Sequence, residues 1–169
     1  PDSHGKTSLD WGHTMAINTD RCLAAETIEC EFKITDEANF GNILGAQDNG
    51  HYYTVQIPRW GQLWRARAFW AGICMADGSG HLRNLQMQLV PYVACHWNTW
   101  IHLKVERRGN CIQTWIDGVK GPCVTDDSYG PGRPGLTGLA KYIARNLKID
   151  GQPCPLYTSE PADEPPSVH

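Results

Sequence analysis

The feature that most constrains the fold lies between residues 97 and 118, where two alternating segments are joined by a polar turn. Every second residue is apolar, and a period of two places one set of side chains on a core face and the other set towards solvent. A loop that contains glycine allows such a pair to reverse direction as a hairpin. The segment therefore predicts a β-hairpin. Its apolar positions are Ile101, Leu103, Val105, Ile112 and Ile116.

The outward face of this hairpin combines an aromatic ring with polar groups. A turn centred on residues 108–109 would place His102 opposite Trp115. The same register would pair Lys104 with Gln113. Because a tryptophan at the surface reduces solubility and usually serves a binding role, the hairpin bears on function as well as on fold.

The composition excludes several classes of protein. The 169-residue chain has a formal net charge of −3 and a pI near 6.2, and it has no run of Lys or Arg. Binding to nucleic acid through a basic surface is therefore not expected. No apolar stretch approaches the roughly 20 residues of a membrane-spanning helix, so no membrane span is expected either. The length suits one domain with a sizeable core.

The cysteine content bears on the compartment. Seven cysteines are many for a cytosolic protein of this size, and they favour an extracellular or periplasmic location. We expect at least one intrachain disulfide, with Cys74 and Cys95 as the predicted partners because they flank the strand predicted at residues 84–90. The alternative is that several cysteines act as small buried hydrophobic residues, and Cys30 is the best example.

The rest of the chain also has the pattern of short strands separated by turns. Residues 27–34 alternate cleanly, and residues 42–46 and 51–57 flank an Asn-Gly pair that is typical of a hairpin turn. Residues 72–83 and 117–135 lack periodicity and are predicted to form long loops. Many short strands with turn signals predict an all-β fold, a two-sheet antiparallel β-sandwich. Further strands are predicted at residues 64–70, 84–90, 136–140 and 143–149.

The composition changes at residue 153. Pro, Glu, Asp and Ser dominate residues 153–169 and no apolar periodicity recurs, which is typical of an extended, solvated segment. We therefore predict a β-sandwich domain at residues 1–152, followed by a Pro-rich acidic tail or linker. A linker would imply adjoining domains in a longer chain.

Several of these segments, taken in order, resemble the concanavalin A-like jelly rolls. Residues 40–46 (Phe-Gly-Asn-Ile-Leu-Gly-Ala) and 51–57 (His-Tyr-Tyr-Thr-Val-Gln-Ile) are similar to a hairpin of that family. The resemblance covers residues 27–151 and includes the laminin-G-like group, with its family-66 carbohydrate-binding modules and 3-keto-disaccharide hydrolase domains. It implies a jelly-roll fold and one of three functions: sugar binding, glycoside cleavage or protein binding. The other matching segments are residues 98–106, 115–118, 135–138 and 145–149.

The predicted ligand site combines aromatic and polar residues near the second hairpin. Sugar rings present C–H faces that stack on aromatic rings, and their hydroxyls exchange hydrogen bonds with polar side chains. Tyr52, Trp60 and Arg65 provide this mixture, with Trp60 as the exposed platform. Trp64 and Trp70 flank two alanines, a pattern of large and small residues that is also typical of core packing.

Polar residues of the loop predicted after residue 117 form a second part of the predicted ligand site. Asp126, Asp127 and Arg133 are predicted to lie together at one end of the sandwich. Carboxylates of this kind can ligate Ca²⁺, which prefers oxygen donors, or act as general acid and base on a glycoside. The alternative is turn chemistry and solvation, since no fixed metal-binding spacing is present.

The favoured function is a carbohydrate-binding module of a secreted multidomain protein, with an oligo- or polysaccharide as its partner. A glycoside-cleaving enzyme of the 3-keto-disaccharide hydrolase type and an extracellular protein-interaction module are the alternatives, because a fold does not fix a function. No catalytic residue is assigned, and Ca²⁺ is the one cofactor considered.

Overall fold

The computed structural model describes residues 14–17, 26–34, 39–57, 62–63, 68–91, 99–139 and 142–153. Every regular element within these residues is a β-strand. The strands are β1 (Thr14–Ile17), β2 (Thr27–Ile34), β3 (Asn39–Ala46), β4 (His51–Gln56), β5 (Gln62–Leu63), β6 (Ala68–Asp77), β7 (Leu82–Pro91), β8 (Trp100–Arg108), β9 (Cys111–Ile116), β10 (Val119–Thr125), β11 (Arg133–Leu139), β12 (Tyr142–Ile149) and β13 (Gln152–Pro153). The predicted tail lies outside the described residues apart from Pro153, which ends β13.

The strands form two antiparallel sheets. A seven-stranded sheet has the order β1-β11-β3-β4-β6-β5, with β7 paired to β6. A six-stranded sheet has the order β10-β9-β8-β2-β12-β13. The predicted all-β, two-sheet antiparallel sandwich is therefore confirmed. No helix in the described part of the chain is long and apolar enough to cross a bilayer.

The main core lies between the two sheets, and alternation builds it. Along β8, buried and half-exposed residues alternate, so one face of the strand packs inward while the other stays at the surface. Fully burying one large aliphatic or aromatic side chain contributes roughly 1.5–3 kcal/mol. The two central strands of the six-stranded sheet, β2 and β8, supply Ile28, Cys30, Phe32, Ile101, Leu103 and Val105, all fully buried.

The seven-stranded sheet is buried on both faces at its centre. Along β4, Tyr53 and Val55 belong to the core between the sheets, whereas Tyr52 belongs to a second buried cluster. Because neighbouring residues of a strand point to opposite faces, this second cluster lies on the other side of the sheet. Its members are Ile43, Ala46, Tyr52, Cys74, Ala76 and Leu82. The solvent-side surface of the six-stranded sheet, by contrast, is lined by half-buried side chains and is accessible.

The β8–β9 hairpin forms as predicted but with a different register. Its turn consists of residues 109–110, with φ +59° at the glycine, and Lys104 lies opposite Trp115. The expected pairs His102–Trp115 and Lys104–Gln113 are therefore wrong, because Gly and Asn are the residues that best tolerate the backbone of a two-residue turn. Since His102 and Lys104 share one face of β8, Trp115 still lies on the predicted outward face.

Two regions predicted to be long loops contain strands. Within residues 72–83, β6 and β7 leave only residues 78–81 as a connection. The sequence conceals β6 because both of its faces are buried: Ile73 lies in the main core and Cys74 in the second cluster. No polar alternation remains to reveal such a strand. Likewise, residues 119–125 form β10 inside the second predicted loop.

The predicted Cys74–Cys95 disulfide is wrong for Cys74, which is a free, buried thiol. Its Sγ donates a hydrogen bond to Oδ1 of Asn84 at 3.0 Å. Burial raises the pKa of Cys74 to about 12, so the thiol stays protonated and unreactive. Cys95 lies outside the described residues. Cys30 is fully buried, in agreement with the alternative expectation for that residue.

Candidate functional site

The solvent-side surface of the six-stranded sheet, here called the outer face, collects aromatic and charged side chains. The strands that place these groups are β2, β8, β9 and β12, because their inward residues fill the core and their alternate residues must point out. The residues that define the outer face are Glu29, Glu31, Trp100, His102, Lys104, Trp115 and Arg145, all half-buried.

One row of the outer face runs from β2 across β8 to β9. Glu29 lies opposite Lys104, with 3.7 Å between Oε1 and Nζ, and its Oε2 lies 3.5 Å from Nε2 of His102. On the other side, Lys104 Nζ lies 5.5 Å from the ring centroid of Trp115. Exposed ion pairs of this kind contribute only about 0–1 kcal/mol to folding. These ion pairs therefore add little to the stability of the fold, and the row is best described as a polar surface beside an aromatic ring.

A second row joins β12, β2 and β8. The Nε of Arg145 donates to Oε2 of Glu31 at 2.5 Å, and Nδ2 of Asn146 donates to the same oxygen at 3.0 Å. The Arg145 guanidinium lies 3.8 Å from the ring centroid of Trp100, stacked on the ring. A register shift between Arg145 and Lys148 places Asn146 in the left-handed region, with φ +54°. The second row is thus held in place from two strands.

A groove of about 220 Å³ opens on the outer face beside the β8–β9 hairpin. The ring of Trp115 contributes an apolar wall, and the ion pair between Arg108 and Glu106, 2.7 Å, contributes a charged one. Ligand pockets for drug-sized molecules range from about 300 to 1,000 Å³, so this groove suits one small ring with the rest of a ligand on the open face. It is lined by Glu106, Arg108, Cys111, Gln113 and Trp115.

Tyr52, the described residue of the aromatic part of the predicted site, does not lie on the outer face. Tyr52 is 1% exposed and packs in the second cluster, because the pleat of β4 directs it away from the main core onto a covered sheet face. It is a core residue and does not offer its ring to a ligand in solvent. Trp60 and Arg65, predicted beside it, lie outside the described residues.

Asp126 and Asp127 lie in the loop between β10 and β11, and Arg133 is the first residue of β11. Oδ1 of Asp126 accepts hydrogen bonds from the Tyr53 hydroxyl at 2.5 Å and from the Ser128 amide at 2.9 Å. Asp127 is exposed and Arg133 is half-buried. Asp126 therefore attaches this loop to the core through a tyrosine that is itself buried.

Ionisation of Asp126 fits this structural role. Partial burial alone would raise the pKa of its carboxyl, but the hydrogen bonds from Tyr53 and Ser128 outweigh burial and lower it below the ordinary value. A lowered pKa means that the carboxylate stabilises the fold at neutral pH and loses this effect only as the pH falls through the folded-state pKa. A general acid for glycoside cleavage needs the opposite shift.

Arg107 supports the same loop from its core side, a role that sequence reasoning missed. It is 6% exposed and occupies an inward position at the end of β8. Its guanidinium lies 5.6 Å from the ring centroid of Tyr53. It donates to the carbonyl oxygens of Gly109 at 2.8 Å, Gly130 at 2.8 Å and Tyr129 at 2.6 Å.

Sequence reasoning placed Trp115 and Gln113 on an outward face but missed Trp100 and Arg145. For Trp100 a signal was available, because it is in phase with His102 and Lys104 by the period of two. Arg145 offered no comparable signal. Within the described residues, no group of three or more His, Cys, Asp or Glu side chains could hold a metal ion.

Comparison with solved structures identifies the architecture. Carbohydrate-binding module CBM66 from Bacillus subtilis matches with a TM-score of 0.61 and 14% identity, covering 75% of this chain and 77% of that chain. Chicken galectin 2 matches with a TM-score of 0.56 and 12% identity, covering 80% and 97%. A complex of toad ovary galectin with thio-digalactose matches with a TM-score of 0.51 and 10% identity, covering 79% and 98%. The predicted jelly-roll fold is thereby confirmed. No protein-family model matches the chain, and no curated protein matches it.

Proposed function

We propose that the protein binds carbohydrate on the outer face, with one sugar ring stacked on Trp115 in the groove. The observation that carries this proposal is a half-buried tryptophan ring beside an amide and a charged pair in one groove. A sugar ring has apolar C–H patches and polar hydroxyls on the same small body, so it needs an aromatic surface and hydrogen-bonding groups within a few ångströms of each other.

The groove supplies these hydrogen-bonding groups in fixed positions. Gln113 is held by donating through Nε2 to the carbonyl oxygens of Thr114 at 2.9 Å and Gly121 at 3.0 Å. Arg108 is held by Glu106. Side chains that are already ordered cost less conformational entropy when a ligand binds. A sugar hydroxyl can both donate and accept, so it suits a surface on which acidic and basic groups alternate.

The rows beside the groove extend the same chemistry towards β2 and β12. Lys104, which is paired with Glu29, adjoins Trp115. Arg145, which is paired with Glu31, adjoins Trp100. A chain of several sugars crossing the strands would therefore meet polar groups and a second aromatic ring. This arrangement favours an oligo- or polysaccharide over a single small metabolite.

The solved structures support carbohydrate as the ligand class. One of the matching proteins is a carbohydrate-binding module, and another is a galectin in complex with thio-digalactose. The cysteine content and the Pro-rich end of the chain are the grounds for two further parts of the proposal: the domain acts in an extracellular or periplasmic compartment, and it belongs to a longer multidomain chain.

Binding to a panel of immobilised glycans, followed by calorimetry with the best soluble oligosaccharide, tests the proposed function. We expect saturable binding of at least one oligo- or polysaccharide, with a dissociation constant in the micromolar to millimolar range, because a shallow groove buries little of its ligand. The proposal is contradicted if a correctly folded sample binds none of them at millimolar ligand.

A further inference from the structure

Two cysteines lie side by side at the edge of the groove. Cys111 begins β9 and lines the groove, and Cys123 lies on the neighbouring strand β10. Their Sγ atoms are 3.4 Å apart, and both are free thiols. Cys123 is exposed and Cys111 is half-buried, so a small reagent in solution can reach the pair.

The strand register explains why the two thiols meet. Cys111 pairs with Thr125, and Cys123 pairs with Gln113, so the cysteines are diagonal neighbours across an antiparallel pair. Residues that pair across strands point to the same face, which places both thiols on the outer face. A register shift immediately before Cys123, after Lys120, loosens β10 at this point. The sulfurs must approach by about 1.4 Å to reach a disulfide bond length of about 2.05 Å.

Neighbouring groups act in both directions on the ionisation of Cys123. A hydrogen bond with Cys111, together with slight burial, raises the pKa of Cys123, while the positive charge of Lys120 opposes the increase. Arg108 lies directly opposite Cys111 across the hairpin. The thiolate is the nucleophilic form of cysteine, so the raised pKa of Cys123 means that its attack becomes faster as the pH rises. Cys30 is different, because burial raises its pKa to about 12.

We propose that Cys111 and Cys123 form a thiol–disulfide site that reacts with small-molecule disulfides. In the first step, one cysteine thiolate attacks a sulfur of the reagent, forming a mixed disulfide and releasing one reagent thiol. In the second step, the other cysteine attacks the protein sulfur and releases the second reagent thiol. The protein pair loses two electrons, the reagent disulfide gains them, and the two protons leave with the released thiols.

The bridge would join β9 to β10 beside the groove. Because Cys111 lines the groove, oxidation would fix the groove wall next to Gln113 and remove one thiol from its surface. The exchange reaction itself needs no sugar, so it can be tested independently of the proposed carbohydrate binding.

Oxidation of the folded full chain with glutathione disulfide tests the proposal. After alkylation of free thiols, digestion with trypsin separates the two cysteines by cleavage after Lys120. We expect the fragments that contain Cys111 and Cys123 to be joined, which accounts for two of the seven thiols of the chain, and we expect dithiothreitol to separate them.

Two single variants sharpen the result. Cys123→Ser should leave Cys111 carrying one glutathione in mixed disulfide, because the second attack is lost. Cys74→Ser, which removes a buried thiol, should leave the Cys111–Cys123 bridge unchanged. The proposal is overturned if both cysteines stay alkylatable, if each carries glutathione without a bond between them, or if either is joined to a different cysteine.

Discussion

Replacing Arg107 with methionine should lower the free energy of unfolding by about 2–4 kcal/mol. Methionine keeps the apolar stem against Tyr53 but removes all three donors to the carbonyl oxygens of Gly109, Tyr129 and Gly130. Hydrogen bonds from a charged donor contribute about 1.5–3 kcal/mol each, and solvent can restore part of that loss at the two exposed glycines. The loop that follows β10 should therefore detach from the core in this variant.

Urea unfolding at neutral pH measures this effect, with Arg108→Met as the matched control. Arg108 is the next residue of the same strand, but its side chain is 83% exposed and its contact is a surface ion pair with Glu106. Its loss should change the free energy of unfolding by no more than about 0.5–1 kcal/mol. A change below about 1 kcal/mol for Arg107→Met would show that this buried guanidinium does not hold the loop.

Replacing Trp115 with alanine should weaken carbohydrate binding roughly 10- to 100-fold without unfolding the domain. Stacking on an aromatic ring contributes about 0.5–1.5 kcal/mol to binding beyond the effect of the buried area. The variant also loses the favourable free energy of burying apolar surface against the ring. A factor of ten corresponds to about 1.4 kcal/mol. Because Trp115 is half-buried on the outer face and not in the core, the variant should keep the β-rich circular dichroism spectrum of the parent.

Leu89→Ala is the matched control for Trp115→Ala in calorimetry. Leu89 is an exposed apolar residue, 41% accessible, on β7 of the other sheet. Its replacement should leave the affinity for carbohydrate unchanged. Equal affinities for Trp115→Ala and the parent, with both folded, would remove the ring from the ligand site.

The alternating strands could be predicted because one of their faces is buried and the other is exposed to solvent, which makes apolar and polar residues alternate in the sequence. Along β8, Ile101 and Leu103 alternate with His102 and Lys104, and the structure places them on the predicted faces. Most of β6, from residue 72 onwards, could not be predicted, since both of its faces are covered there and its sequence lacks polar alternation. The same double burial explains Tyr52, whose ring fills the second cluster and not a ligand site.

The candidate site was predictable only within one hairpin. Trp115 and Gln113 lie in a single strand, so a period of two is enough to bring them to one face. Trp100 on β8 and Arg145 on β12 contact each other across β2, which lies between these two strands in the sheet. Sequence alone does not encode this strand order. The register shift at Asn146 further changes which β12 side chains reach the outer face.

The loop carboxylates show why the role of a side chain can be misjudged from sequence. Asp126 was predicted to be a loop ligand, but its contacts depend on the Tyr53 hydroxyl, 73 residues away in sequence. A buried tyrosine with a polar tip needs a partner, and the sequence does not say which group provides it. Asp126 consequently resembled a ligand residue in sequence and is a structural anchor in the fold.

The most direct test of carbohydrate binding on the outer face is a ¹H–¹⁵N NMR titration of the parent protein with its best oligosaccharide. The tryptophan side-chain N–H signals are assigned beforehand with single Trp→Phe variants. We predict that the indole N–H of Trp115, the side-chain amide of Gln113 and the backbone amides beside them shift together and saturate with one dissociation constant. If the signals of these groups do not shift, and the shifted signals belong instead to residues around Asp127 and Arg133, the outer face is not the binding site.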